Sequence, residues 1–79
     1  MTQHELDARG LLCPMPVIKT QNAIQQLTPG DRLRVLATDP GVLHDIPAWC
    51  RVNGHTILSS QEQAREIEVV IEVCGDPGE

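Results

Sequence analysis

Apolar and polar positions along the chain divide it into six segments. Over residues 31–38, Leu33, Val35 and Ala37 fall on one face and Arg32 and Arg34 on the other, the two-residue period of a half-buried strand. Ile67, Val69, Ile71 and Val73, set against Glu68, Val70 and Glu72, predict the clearest strand of all. Residues 4–8, with Leu6 between Glu5 and Asp7, predict an edge-type strand, and residues 56–58 a third strand followed by a polar connection over 61–66. Between these lie two helical patterns. From Pro14-Met15-Pro16 to Leu27, the residues Val17, Thr20, Ile24 and Leu27 recur near helical spacing with Ala23 beside them. Gln21, Asn22, Gln25 and Gln26 then face water, and Thr28-Pro29-Gly30 closes the helix. Asp39-Pro40-Gly41 opens the second, where Val42, Ile46, Trp49 and Cys50 share a face. Pro47 within that run predicts either a kink or a helix whose regular part starts near Asp45, and Asn53-Gly54 ends it.

The order is β-α-β-α-β-β. Two helices must bury their apolar stripes, and four strands with one apolar face supply the surface. The expected fold is an α+β two-layer sandwich with both helices on one face of a mixed four-stranded sheet. Right-handed crossovers place them in one layer when both connections run the same way across the sheet. A single domain spanning 1–79 is expected, with 75–79 a frayed tail.

Composition narrows the chemistry. Six basic against eleven acidic residues give a net charge of −5, and Trp49 is the lone aromatic. Base-stacking proteins need rings and a positive face, so direct nucleic-acid binding is disfavoured. No apolar run reaches the roughly 20 residues of a membrane span. Met1-Thr2-Gln3-His4-Glu5 has neither the basic nor the apolar part of a signal peptide, so a cytoplasmic protein is expected, with its thiols reduced. Three cysteines then suggest redox, metal or nucleophilic chemistry rather than a disulfide framework. Cys13, Cys50, Cys74, His4, His44 and His55 show no Cys-x-x-Cys and no His-x₃-His, so a metal site is not expected.

Cys13 is singled out by its place, where a strand-turn meets a helix start. A helix N-terminus carries about half a positive elementary charge and unpaired N–H groups. A thiolate there is stabilised, and its pKa is expected to fall below the ~8.5 of a free thiol. Pro14 suits the first helical position, and a Cys13 N-cap would leave the sulfur to accept from the Met15 N–H. The residue before a proline avoids the α region, so a start at Pro16 is the other possibility. In both arrangements the prolines stiffen the lip that carries the sulfur. By packing alone, Cys13 reads equally as a small apolar residue following Leu11-Leu12.

Leu6-Asp7-Ala8-Arg9-Gly10-Leu11-Leu12-Cys13-Pro14-Met15-Pro16 resembles the opening of the TusA/SirA-like sulfur-carrier family, whose hallmark is Cys-Pro-x-Pro after a Leu-Asp-x-x-Gly-Leu strand-turn. The similarity continues through Pro29-Gly30-Asp31, Ala37-Thr38-Asp39-Pro40-Gly41, Asp45-Ile46-Pro47 and Gly54-His55. The resemblance implies the same two-layer sandwich and a cysteine, here Cys13, that carries sulfane sulfur as a persulfide. It also implies a cysteine desulfurase or rhodanese-like donor and a downstream sulfur-acceptor protein, as in tRNA 2-thiolation or sulfur oxidation. Such a sulfurtransferase-type carrier works by thiol exchange and needs no cofactor.

The supporting residues are read more openly. Pro14, Pro16 and Gly10 shape the lip, and Arg9 pairs with Asp7 or lies close enough to Cys13 to favour its thiolate. Cys50 is expected in the core and Cys74 as an exposed second thiol without a role. Asp39 and Asp45 are expected to cap helix N–H groups. His4 and His44 are expected in solvent, and Arg32 with Arg34 forms a small basic cluster on an outward strand face. Two other readings remain at this point: a thiol-redox or regulatory module, and a non-catalytic RNA- or protein-interaction domain.

Overall fold

The computed structural model describes residues 3–74; the expected tail at 75–79 lies outside them. Six elements follow in the expected order: β1 (Gln3–Ala8), α1 (Met15–Ile24), β2 (Arg32–Ala37), α2 (Val42–Asn53), β3 (Thr56–Gln63) and β4 (Glu66–Glu72). They form a mixed four-stranded sheet in the order β1-β2-β4-β3. β1 and β2 are parallel, and β4 runs antiparallel to both of its neighbours. β3 is therefore parallel to β2, and both crossovers step across the sheet in the same direction. The two helices touch one another as well as the sheet, giving the α+β sandwich.

Strand alternation decides which face they cover. Leu33, Val35 and Ala37 of β2 lie beside Ile71, Val69 and Ile67 of β4, and all six are buried. Ile24 of α1 and Val42, Ile46 and Cys50 of α2 close over them. Each buried valine, leucine or isoleucine among them contributes about 1.5–3 kcal/mol when removed from water. The opposite face is polar. There Arg34 lies between Glu5 on β1 and Glu68 on β4, hydrogen-bonded to both. The basic cluster expected of Arg32 and Arg34 is thus broken, because Arg34 is neutralised by flanking carboxylates.

α1 ends at Ile24, with Gln25 as its C-cap, rather than running to Leu27, and two further boundaries differ from expectation. α2 is helical from Val42, ahead of Pro47, rather than from Asp45. Its first turn is set by the Asp39-Pro40-Gly41 corner, where Val42 N–H donates to the Asp39 carbonyl and Asp45 N–H to the Gly41 carbonyl. β3 continues through Gln63, across most of the stretch expected as a loop. It pairs only with β4 and its residues beyond Ser59 are exposed, so no apolar pattern marks it. Leu58 interrupts the register as a bulge between Ile57 and Ser59. The hairpin then turns at Ala64 and Arg65, both at positive φ (52° and 71°). This is a two-residue reversal built without the usual asparagine or glycine.

Replacing Ile46, which is fully buried, by alanine is expected to cost about 2–5 kcal/mol in urea unfolding. The same change at Val52, 84% exposed, is expected to cost less than about 0.5 kcal/mol. Equal costs at the two positions would contradict the core assignment. Arg65→Gly relieves a left-handed backbone and is expected to stabilise by about 0.5–1 kcal/mol, raising the urea midpoint; a lower midpoint would contradict the turn geometry.

Candidate functional site

Parallel β1 and β2 end on the same edge of the sheet, so the starts of α1 and α2 stand side by side there. After Ala8 the chain turns through Arg9 and Gly10. Gly10 takes φ +80°, a conformation that disfavours any side chain, and its N–H donates to Thr38 Oγ1 at 2.9 Å. This bond ties the first lip to the end of β2. Leu12, 74% exposed, and Cys13, also exposed, follow before α1. Pro16 is buried and anchors the helix start, and its carbonyl accepts from Thr20 Oγ1 at 2.8 Å.

Cys13 is held from across the gap by two carboxylates of the second lip. Its backbone N–H donates to Asp39 Oδ2 at 2.7 Å, and its S–H donates to Asp45 Oδ2 at 2.9 Å. Asp39 uses its other oxygen to accept the Gly41 N–H at 3.0 Å. The two carboxylates converge on Gly41: a Cβ there would lie 3.5 Å from Asp39 Oδ1 and 3.6 Å from Asp45 Oδ2.

This arrangement overturns the expected electrostatics. The hydrogen bond to Asp45 raises the Cys13 pKa above its ordinary value, reinforced by partial loss of hydration and by the charges of Asp45 and Asp39. The two carboxylates of α2 and its lip face the sulfur and disfavour its thiolate, a contribution that the end of α1 considered by itself does not contain. Asp39 moves the other way, its carboxyl held below the usual range by the N–H groups of Gly41 and Cys13. Asp45, expected as a cap, thus engages the sulfur; Asp39 does accept a backbone N–H at the start of α2.

The capping geometry also differs. Pro14 occupies the N-cap position and Met15 starts α1, so neither Cys13 nor Pro16 begins it. The Met15 N–H donates to the Leu12 carbonyl at 2.8 Å rather than to sulfur. Arg9 lies with its guanidinium on Asp7 (2.9 and 3.1 Å), holding that carboxyl down to about 2, and within 3.8 Å of Glu66. It is not among the groups that shift the Cys13 thiol. The site therefore brings Cys13, Pro14, Pro16 and Gly10 together and leaves Arg9 to its ion pairs.

The other thiols lie at the opposite end of the sheet, near the start of β3 and the end of β4. Cys50 is buried, and burial pushes its thiol up to about 12. Cys74 is half-buried rather than exposed, with Thr56 Oγ1 and the Glu72 carbonyl each 3.3 Å from its sulfur. His55 packs beneath them, stacked on Trp49 at 5.3 Å between ring centroids, and burial lowers its pKa. His44 is exposed as expected, whereas His4 is half-buried, 3.7 Å from Asp31. Among the described residues no three His, Cys, Asp or Glu side chains form a group able to hold a metal ion. No helix among them is long and apolar enough to cross a membrane.

The family model for the sulfurtransferase TusA matches residues 4–73. The chain belongs to the TusA family. The TusA sulfur carrier of Pseudomonas paraeruginosa is 48% identical over 59 residues, covering 75% of each chain. A candidate sulfur carrier of Neisseria meningitidis serogroup A is 40% identical over 72 residues, covering 91% of this chain and 97% of the relative. The crystal structure of a SirA-like protein from Desulfitobacterium hafniense superposes with a TM-score of 0.80 at 24% identity, over 91% of this chain and 99% of that one. That likeness shows the fold, and the sequence relatives support a sulfur-carrier role for this TusA-family chain.

The electrostatics give a sign that can be measured. A raised pKa means the thiolate fraction of Cys13 appears only at higher pH. Its iodoacetamide rate, followed by peptide-level mass spectrometry, is expected to reach half of its plateau at a higher pH than an unstructured cysteine peptide. A half-point below the peptide's would contradict the Asp45 contact.

Proposed function

We propose that the chain accepts sulfane sulfur as a persulfide on Cys13 and hands it to an acceptor protein. The observation that carries this reading is the exposed Cys13 sulfur at the rim where both helix starts meet. The Cys13 sulfur attacks the terminal sulfur of a donor persulfide, the donor's S–S bond breaks, and the donor leaves as a thiolate. An acceptor thiolate then attacks the outer sulfur on Cys13, the S–S bond to Cys13 breaks, and the departing Cys13 thiolate takes up a proton to restore the resting thiol. The sulfane sulfur changes partner with no net oxidation, so the exchange needs neither metal nor organic cofactor.

Large exposed apolar side chains follow and precede Cys13 along the chain and suit protein partners. Leu12 is 74% exposed and Met15 and Ile18 are each 42% exposed, all on the lip or the first turn of α1. A cysteine desulfurase or rhodanese-like donor and a sulfur-accepting protein would press against this rim, in a cytoplasmic relay serving tRNA 2-thiolation or sulfur oxidation. The redox-module reading is weaker: Cys50 and Cys74 lie at the far end of the sheet, leaving Cys13 without a resolving partner among the described residues.

Incubation with a cysteine desulfurase and cysteine is expected to add the mass of one sulfur atom per chain, removable by a thiol reductant. Cys13→Ser is expected to abolish the addition, and loading of that variant at the wild-type level would overturn the proposal.

A further inference from the structure

We infer that Asp45 is the proton shuttle of sulfur transfer, taking the Cys13 S–H proton as the new S–S bond forms and returning it to the departing thiolate. The inference rests on the carrier reading above and adds a residue to it. Three observations carry it. The S–H of Cys13 points at Asp45 Oδ2 across 2.9 Å, within the range for direct proton transfer. Asp45 sits in the first turn of α2, on a different element from Cys13, so its carboxylate is positioned independently of the lip. The groups facing the sulfur are both acidic, Asp45 and Asp39, and among the described residues no cation acts on it to stabilise a free thiolate.

The site is thus built to hold a thiol at rest, while the exchange requires a sulfur nucleophile. A carboxylate in contact with the proton resolves the conflict without a free thiolate. Thiol, Asp45 carboxylate and donor persulfide become Cys13 persulfide, Asp45 carboxylic acid and donor thiolate. One S–S bond forms, one breaks, and the proton crosses from sulfur to oxygen. Asp45 then gives that proton to the leaving thiolate, and the sum conserves charge and oxidation state. Once loaded, the persulfide no longer has the S–H that bonded to Asp45. Its outer sulfur, about 2.05 Å farther out, is repelled by Asp45 and Asp39 when ionised. The same pair that retains the empty thiol thus turns the cargo outward.

Asp39 plays a different part. Its two oxygens accept backbone N–H groups of Gly41 and Cys13, which makes it a positioning residue for the lip.

The test sets two reactions of one thiol against each other, using the full chain with glutathione persulfide as donor and iodoacetamide as a probe of the thiolate fraction whose leaving iodide takes no proton. In Asp45→Asn, alkylation of Cys13 at neutral pH is expected to speed up, while sulfur uptake slows at least about tenfold. Asp45→Ala is expected to behave alike, with formate restoring uptake and leaving alkylation unchanged. Far-UV circular dichroism checks that each variant is folded, and the alanine variant suits the helix should the asparagine one misfold. Uptake that rises together with alkylation would overturn the shuttle and reduce Asp45 to a brake on the thiolate. Unchanged alkylation and uptake would overturn the contact itself. Wild-type protein that takes no sulfur from either glutathione persulfide or a charged desulfurase would instead remove the carrier reading, and the shuttle with it.

Discussion

Two hydrogen bonds donated by Cys13 hold the functional end of this molecule together. Asp39 receives the Cys13 N–H and Asp45 the Cys13 S–H, joining the lip before α1 to the first turn of α2. The Gly10 N–H to Thr38 Oγ1 bond adds a third tie between the same two lips. Without these ties the segment between β1 and α1 would be a loop with no fixed place for the sulfur. With them, the sulfur occupies a defined place and its proton has a defined acceptor. The resting state is then a thiol, kept so by the charges around it.

The fold beneath was largely written in alternation. Leu33/Val35/Ala37 and Ile67/Val69/Ile71/Val73 each presented a two-residue period, and both sets are buried. The helix stripes of Thr20/Ile24 and Val42/Ile46/Cys50 were equally plain, because buried faces repeat with the geometry of their element. β3 was legible only at its start. An edge strand on one partner has no core to bury beyond Ile57, so Ser59 to Gln63 carry polar side chains in extended pairing. Its turn at Ala64-Arg65 gave no signal either, since the left-handed backbone is imposed by strand pairing on residues that do not favour it.

The site was legible in its nucleophile and not in its electrostatics. Cys-Pro-x-Pro at a helix start marked Cys13, and the family model and curated relatives now support a sulfur-carrier role for the chain. The sign of the thiol shift is not legible from the start of α1 alone, because it is set by residues of α2. Parallel β1 and β2 bring both helix starts to one edge, where the acidic side chains of α2 face the lip of α1. The signal available was Asp39 with Asp45 flanking the second helix start, combined with the rule that sites gather at the carboxyl ends of parallel strands. Arg9 follows the first of its two expected readings, the pair with Asp7. Asp7 lies two residues away and captures its guanidinium in a bidentate pair, leaving none of its charge for the sulfur.

Carbon NMR of the Asp45 side-chain carboxyl, followed across the titration of Cys13, tests the contact at the centre of this account. The carboxyl resonance is expected to show, besides its own titration, a second inflection at the thiol's pKa, above that of a free thiol. Cys13→Ser is expected to abolish that second step. A carboxyl resonance that passes through the thiol titration unmoved would show that the two groups do not share a proton, and the account would fail there.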